Sequence, residues 1–117
     1  MESFALVRPQ HLNHFGYLFG GQLLAWVDEI AWLAASTDYP GYRLVTRALA
    51  TVEFCTPVTA GSTLRFICTA KKRGQTSVSY EVHVKGRAPH SNLEKDIFFT
   101  IITFVAIDEA GNKKVIN

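Results

Sequence analysis

The apolar segment at residues 22–35, QLLAWVDEIAWLAA, constrains the fold more than any other part of the chain. It contains no glycine or proline and consists mainly of good helix formers, and its only polar residues are Gln22, Asp28 and Glu29. A glycine pair precedes it, and we predict a helix over about residues 20–36. A surface helix has one apolar stripe, whereas this one is apolar on most sides and is therefore expected to be buried on most sides.

Asp28 is the polar residue of this helix that lies away from its polar strip. At about 100° per residue, Gln22 and Glu29 fall on one line, and Asp28 lies about 100° from them among small and apolar residues. Burying a carboxylate is costly unless it is paired or its pKa rises, and proteins use such carboxylates as general bases. Periodicity leaves a second interpretation equally open, in which Asp28 simply widens the strip beside Glu29.

Composition describes one globular domain, 1–117, and excludes several classes of function. The chain is 48% hydrophobic and 19% charged, a balance that favours a compact fold and burial in a homo-oligomer. Its net charge of +2 is too small for a nucleic-acid-binding surface. The N-terminus lacks a basic start followed by an apolar core, and the longest apolar run, 97–107, is too short to cross a membrane. We therefore expect a cytoplasmic protein without a membrane partner.

The cysteines and histidines give no sign of a metal site. Cys55 and Cys68 are the only cysteines, they form no Cys-x-x-Cys motif, and the four histidines are scattered. We expect two reduced thiols in the core and no bound metal.

The rest of the chain is typical of β-structure. Five stretches have the alternation or composition of strands: 3–7, 47–56, 63–70, 77–85 and 96–107. In the second stretch Ala48, Ala50, Val52 and Phe54 are predicted to face the core. Turn residues at 57–62 predict a hairpin between the second and third strands, and residues 71–75 predict a basic turn. One strand, one helix and four strands make an α+β domain, and an antiparallel sheet that wraps around the helix is its simplest arrangement.

Four motifs occur in an order that is known from one family. They are Asn13-x-x-Gly16-x-x-Phe19-Gly20-Gly21-x-Leu23-Leu24-x-x-x-Asp28, Val52-Glu53-Phe54-x-x-Pro57-Val58-x-x-Gly61, Gly74-x-Thr76-Ser77 and Thr103-Phe104-Val105-Ala106-Ile107-Asp108. Over nearly the whole chain, the sequence resembles the hotdog-fold acyl-CoA thioesterases. The resemblance implies a curved antiparallel sheet wrapped around one long central helix. It also implies hydrolysis of acyl-coenzyme A to free acid and coenzyme A, with no separate cofactor because coenzyme A is part of the substrate.

The resemblance also implies roles for residues of the first motif. Asp28 stands where the family has a general base or nucleophile that acts on the thioester, and Asn13 matches an asparagine that completes the site from a partner subunit. Backbone N–H groups at the helix start polarise the thioester carbonyl, which assigns Gly21 as a donor and Gly20 as the residue that leaves close access. Free N–H groups and the positive end of a helix suit a developing oxyanion. Thr46 is a further residue that we expect to approach this site.

The resemblance places the coenzyme A part of the substrate along the third motif, at Gly74, Thr76 and Ser77. Lys72 and Arg73 lie directly before it and suit phosphate groups as charge partners. The alternative for these bases is an ordinary solvated hairpin tip. His11 and His14 flank Asn13, where a surface role is the simpler interpretation, and the two tryptophans at helical spacing are predicted to be packing residues.

Self-association and two other functions complete the expectations. Sheet edges and a largely apolar helix call for a second copy, so we expect a C2 dimer at least, and the family assembles dimers into tetramers or hexamers. The second functional hypothesis is a hotdog module that binds acyl-CoA without hydrolysing it. The third is a hotdog enoyl-CoA hydratase, which the spacing between Asn13 and Asp28 fits less well.

Overall fold

A computed structural model describes all residues, 1–117, and contains five strands and one long helix. The elements are β1 (Glu2–Leu6), a 3-10 turn (Pro9–His11), α1 (Gly20–Asp38), β2 (Arg43–Phe54), β3 (Thr63–Arg73), β4 (Ser77–Arg87) and β5 (Glu94–Ile107). Every predicted element is present, and the α+β class is confirmed. Helix α1 is not long and apolar enough to cross a membrane.

The five strands form one antiparallel sheet in the order β1-β3-β4-β5-β2. Strand β2 pairs with β5 and not with β3, so the predicted hairpin between the second and third strands is wrong. The turn residues at 57–62 do reverse the chain direction, but a turn signal does not specify which strand becomes the partner. The long apolar β5 takes β2 on one side and β4 on the other.

The core lies between α1 and the inner face of the sheet. One side of the helix is buried, with side chains Leu23, Val27, Ile30, Ala31, Ala34 and Ala35. The largest fully buried side chains of the sheet are Tyr80, Phe66, Phe104, Leu64 and Ile102. Burial of each large apolar side chain contributes about 1.5–3 kcal/mol, and α1 packs against β2, β3, β4 and β5, so this layer is what holds the domain together.

A buried phenol ties the end of α1 to the sheet. The Tyr80 hydroxyl donates to Asp38 Oδ2 at 2.7 Å, and burial together with this carboxylate raises the pKa of Tyr80. Nearby, burial raises the pKa of the Cys68 thiol to about 11, as expected for a core cysteine. Cys55 is free but exposed, so its predicted core position is wrong. It follows β2 in a loop, where the strand alternation no longer applies.

Strand β2 and the outer side of α1 are less covered than the sequence indicates. All four side chains expected in the core are exposed, Val52 to 42% and Phe54 to 56%, and with them Ala48 and Ala50. The reason is that β2 is an edge strand with one neighbour. The exposed apolar side chains of these two elements, here called the α1–β2 surface, are Trp32, Leu33, Val45, Leu49, Val52 and Phe54. A long apolar edge of this kind is typical of a surface that a second chain covers.

The basic residues 71–73 were predicted to lie in a turn, but they form the end of β3. Strand β3 continues to Arg73, and a register shift between Ala70 and Lys72 keeps Arg73 paired with Val78. The turn itself occupies residues 74–76 only. Three consecutive basic residues are unusual in a strand interior, but here they lie at the exposed end of the sheet, where their charges stay in water.

Candidate active site

The start of α1 has two unused backbone donors. Phe19 caps the helix without a side-chain hydrogen bond, and its carbonyl accepts the N–H groups of Gln22 and Leu23 at 3.0 and 3.2 Å. The N–H groups of Gly20 and Gly21 donate to no other group of the chain. They lie at the positive end of a helix dipole, so they are suited to bind an oxygen that carries negative charge.

Glycine at position 21 keeps this helix start open. A Cβ atom built there would lie 2.6 Å from the ring of Phe19, so any side chain would displace that ring. At Gly20, a Cβ atom would contact the ring of Phe54 at 3.5 Å. Two aromatic rings therefore lie beside this helix start, while Gly21 itself stays exposed.

Asn13 shapes the loop that leads into the helix. Its side-chain oxygen accepts the N–H groups of Phe15 and Tyr17 at 2.9 and 3.2 Å, and its own N–H donates to the Tyr17 carbonyl at 2.7 Å. The side-chain NH2 group donates to no other group of the chain, so it is available to a ligand or a water.

Asn13 and Gly20 line a mainly apolar cavity of about 320 Å³, here called the helix-start cavity. Its other lining residues are Tyr17, Leu18, Leu23, Phe54, Cys55, Thr56, Pro57, Val58 and Ile97. Several of these, including Phe54 and Ile97, were not assigned to a site from the sequence. They reach the cavity through the pairing of β2 with β5, for which the sequence holds no local signal.

Asp28 is half-buried and is held from β2. The Thr46 hydroxyl donates to Asp28 Oδ1 at 2.5 Å, and no lysine, arginine or histidine forms an ion pair with this carboxylate. Glu29, the next residue, is exposed. The Asp28 side chain is thus less exposed than that of Glu29, and Thr46 lies beside it as expected. The second oxygen, Oδ2, has no partner in the chain and is free to bind a water.

The predicted catalytic residues do not meet within one protomer. Gly21 and Asp28 are seven residues apart on α1, which places their backbone positions about 10 Å apart along the helix axis. Asn13 lines the helix-start cavity, whereas Asp28 does not, and no hydrogen bond joins the two. One protomer thus presents two half-sites: free donors near Asn13, and a carboxylate held by Thr46.

The predicted substrate-binding turn lies at the far end of the sheet. Phe98 packs against the ring of Phe54, which lines the helix-start cavity, and pairs with Val84 on β4. Ser77 lies seven residues from Val84 along the same strand, which is about 24 Å at the usual rise of a strand. The Gly74 N–H donates to the Ser77 carbonyl at 2.8 Å, which closes the turn. These residues are therefore remote from the helix start of their own protomer.

The two basic residues before this turn differ in how they are held. The Arg73 guanidinium donates to the Ile116 carbonyl at 2.8 Å and lies 5.5 Å from the ring centre of Tyr39. Lys72 is exposed and forms no ion pair. Arg73 thus has a structural role that does not require a ligand, whereas the ammonium group of Lys72 is free.

The histidines near Asn13 make structural contacts. His11 Nδ1 accepts the Arg8 N–H at 3.0 Å, and its ring meets Trp26 edge-on at 4.8 Å. His14 is exposed and packs against Phe15. No group of three His, Cys, Asp or Glu side chains lies close enough to hold a metal ion. Asn13 and Asp28 therefore remain the candidate catalytic side chains.

A five-stranded antiparallel sheet packed on one long helix is the fold that the resemblance to hotdog-fold thioesterases implies. The family model described as thioesterase superfamily matches residues 15–90 of this chain. The chain therefore belongs to the thioesterase superfamily.

Individual relatives agree with this assignment. An uncharacterised acyl-CoA thioester hydrolase of Zymomonas mobilis is 34% identical over 104 residues, which cover 89% of this chain and 69% of that protein. The acetyl-coenzyme A thioesterase of Mus musculus is 34% identical over 85 residues, 73% of this chain. The chain spans only 15% of the length of that mouse protein.

Two solved structures show the same fold. The Staphylococcus aureus acyl-CoA hydrolase, solved with butyryl coenzyme A, coenzyme A and coenzyme A disulfide, superposes with a TM-score of 0.87 at 29% identity, over 99% of this chain and 70% of that one. A hexameric hotdog-fold thioesterase of Campylobacter jejuni superposes with a TM-score of 0.87 at 26% identity, over 98% of this chain and 88% of that one. The hotdog fold that the resemblance implied is confirmed.

Proposed function

We propose that this protein is an acyl-CoA thioesterase, which hydrolyses the thioester of acyl-coenzyme A to a free acid and coenzyme A. The observation that carries the proposal is the half-buried Asp28 carboxylate on a helix whose first two N–H groups are free. A general base and an oxyanion donor are the two parts that thioester hydrolysis needs. Membership of the thioesterase superfamily supports the same reaction.

In the proposed mechanism, Asp28 accepts a proton from a water that Asn13 helps to orient. The water oxygen forms a bond to the acyl carbon, and the carbonyl oxygen becomes an oxyanion that the Gly21 N–H stabilises. The intermediate then collapses, the carbon–sulfur bond breaks, and the sulfur leaves as a thiol with the proton from Asp28. Thr46 holds Asp28 Oδ1, so Oδ2 faces the water. A direct attack of Asp28 on the acyl carbon uses the same carboxylate, and this covalent alternative stays open.

Variants of one relative support the choice of residues. The S. aureus acyl-CoA hydrolase has been solved with an aspartate, an asparagine or a threonine replaced by alanine. In that enzyme the asparagine and the aspartate are separated by the same number of residues as Asn13 and Asp28. This chain also has a threonine near the aspartate, because Thr46 donates a hydrogen bond to Asp28.

We further propose that the complete site forms between two copies of the chain. The two half-sites do not meet in one protomer, and the exposed apolar α1–β2 surface lies beside Asp28 and Thr46. A second copy on this surface would cover it and bring Asn13 and Gly21 of one chain towards Asp28 of the other. The hexameric thioesterases of C. jejuni and Yersinia pestis have this fold, so a dimer that assembles further, to a tetramer or hexamer, is the proposed state.

For the coenzyme A part of the substrate, the proposed contacts are Gly20 at the helix start and the distant turn residues Gly74, Thr76 and Ser77, with Lys72 and Arg73. Because Ser77 lies about 24 Å along β4 from Val84, the residue opposite Phe98, the turn would serve a site of another copy. Coenzyme A belongs to the substrate, so no separate cofactor is proposed. A cytoplasmic location stays a prediction from the sequence.

Release of free thiol from acyl-CoAs of short, medium and long chain and from an aromatic acyl-CoA tests the proposed reaction. We expect thiol and free acid to appear in equal amounts with at least one of these substrates. Consumption of an enoyl-CoA without thiol release would instead indicate the hydratase. Binding of acyl-CoA without any reaction would indicate the non-catalytic module, and either result would contradict the proposal.

A further inference from the structure

A second cavity adjoins the helix-start cavity on the side away from α1. It has a volume of about 200 Å³ and shares four lining residues with its neighbour, namely Thr56, Pro57, Val58 and Ile97. Its remaining walls come from the loop between β2 and β3, the end of β4, the loop between β4 and β5 and the start of β5. The two cavities thus lie side by side along residues 56–58, and the second is here called the basic cavity.

Two exposed, positively charged side chains line the basic cavity. Arg87, at the end of β4, and Lys95, at the start of β5, form no ion pair. Glu94 lies opposite Arg87 in the register of β4 and β5, and its carboxylate accepts two hydrogen bonds from Arg65 at 2.7 and 3.0 Å. Arg65 is the main cause of the lowered pKa of Glu94, and Arg87 adds to it. Because Arg65, Arg87 and Lys95 together outnumber this carboxylate, the cavity keeps a net positive potential.

A buried hydroxyl also points into the basic cavity. Ser62 is 4% exposed and lines this cavity. Its N–H donates to the Thr59 carbonyl and its carbonyl accepts the Val7 N–H, but its hydroxyl forms no hydrogen bond in the chain. Every fully buried side-chain polar atom of the chain has a partner, so the Ser62 hydroxyl oxygen must contact the cavity. The hydroxyl oxygen therefore keeps some accessible surface and is available to a ligand.

Two glycines fix the walls of the basic cavity. Gly61 has a φ of +85°, and a Cβ atom there would lie 2.9 Å from Pro89 in the loop between β4 and β5. A Cβ atom at Gly86 would lie 2.8 Å from the side chain of Ile97. Both glycines let the loop and strands approach closely, so the position of Arg87 relative to Ser62 follows from tight backbone packing.

We propose that the basic cavity binds a phosphate group of the acyl-CoA substrate, while the pantetheine part of the same molecule occupies the helix-start cavity. Arg87 and Lys95 supply charge and Ser62 supplies a hydrogen bond, a combination that suits a phosphate. This assignment rests on the proposed function, because it takes the thioester to lie at Gly20 and Gly21. Residues 72–77 of the same protomer are too distant to hold the same phosphate.

Calorimetric binding of pantetheine and 4′-phosphopantetheine tests this assignment without any catalytic step. For the unmodified protein we expect the phosphorylated ligand to bind about tenfold tighter or more, as charge-assisted hydrogen bonds allow. The double variant Arg87→Gln with Lys95→Gln should lose this preference, and Ser62→Ala should reduce it. Lys85→Gln is the matched control, because Lys85 lies two positions before Arg87 on β4 but pairs with Asp96 outside the cavity. It should keep the preference.

Steady-state kinetics separate this assignment from the proposed function. The double variant should raise the KM for an acyl-CoA about tenfold and leave kcat nearly unchanged. If unmodified protein and double variant prefer 4′-phosphopantetheine equally, or if neither does, the assignment is wrong even if thioesters are hydrolysed. A different result is that the unmodified protein releases no thiol from any acyl-CoA but prefers 4′-phosphopantetheine, and that the double variant lacks this preference. In that case the proposed reaction is wrong and the phosphate assignment stands.

Discussion

Replacing Asp28 by asparagine is expected to lower kcat for acyl-CoA hydrolysis by about 10²–10⁴-fold, the usual contribution of a positioned general base. The amide has nearly the same size as the carboxylate and still accepts the hydrogen bond from the Thr46 hydroxyl. The local structure should therefore persist, while the group that accepts a proton from water is lost. Thiol release under saturating acyl-CoA measures the effect.

Glu29→Gln is the control for this substitution. Glu29 is the neighbouring residue and undergoes the same change from carboxylate to amide, but its side chain is exposed and contacts none of the proposed site. It should retain the activity of the unmodified protein. Full activity in Asp28→Asn would remove Asp28 from the mechanism, whichever of its two roles is considered. Equal losses in both variants would point to a general effect of charge on the helix.

Introducing a carboxylate at Leu49 on the α1–β2 surface is expected to separate the copies, and the separation is expected to abolish activity. Leu49 is exposed in a single chain, so Leu49→Asp leaves the core of the protomer intact. In the assembled protein the same side chain would have to bury an unpaired charge, which costs several kcal/mol. Analytical ultracentrifugation should show single copies, and thiol release should fall by about a hundredfold or more because each copy holds only half a site.

Val115→Asp provides the comparison for this variant. Val115 is also apolar and is 55% exposed, but it lies near the C-terminus outside the α1–β2 surface. It should keep both the assembly and the activity. A fully active single copy of Leu49→Asp would show that one protomer is sufficient, and an assembled but inactive Leu49→Asp would place the contact between copies elsewhere.

The sequence predicted those parts of the fold that depend on neighbouring residues. Helix α1 was predicted to end at about residue 36 and ends at Asp38, because its composition and the glycine pair before it act locally. Strands β4 and β5 were also found at nearly their observed positions. The partner of β2 was not predictable in this way, since Leu49 pairs with Ile102, more than fifty residues further along the chain.

The same distinction explains how much of the site could be predicted. Asp28 and Gly21 stand out because their helix shows both the lone carboxylate and the glycine pair in one short stretch. The hydrogen bond between Thr46 and Asp28 depends on how β2 lies over α1, so the sequence indicated only an approach. Arg87 and Lys95 remained unnoticed, because isolated basic residues in a polar loop region carry no pattern until the fold places them around one cavity.

The measurement that tests the central claim most directly is the activity of a mixture of two inactive variants, Asp28→Asn and Asn13→Ala, unfolded and refolded together. If each site takes Asp28 from one copy and Asn13 from another, a mixed pair contains one intact site and one doubly altered site. Equal mixing makes half of the pairs mixed, so thiol release should recover to about a quarter of that of the unmodified protein. Each variant refolded alone should stay inactive. A mixture that remains as inactive as its components would contradict a site shared between two copies.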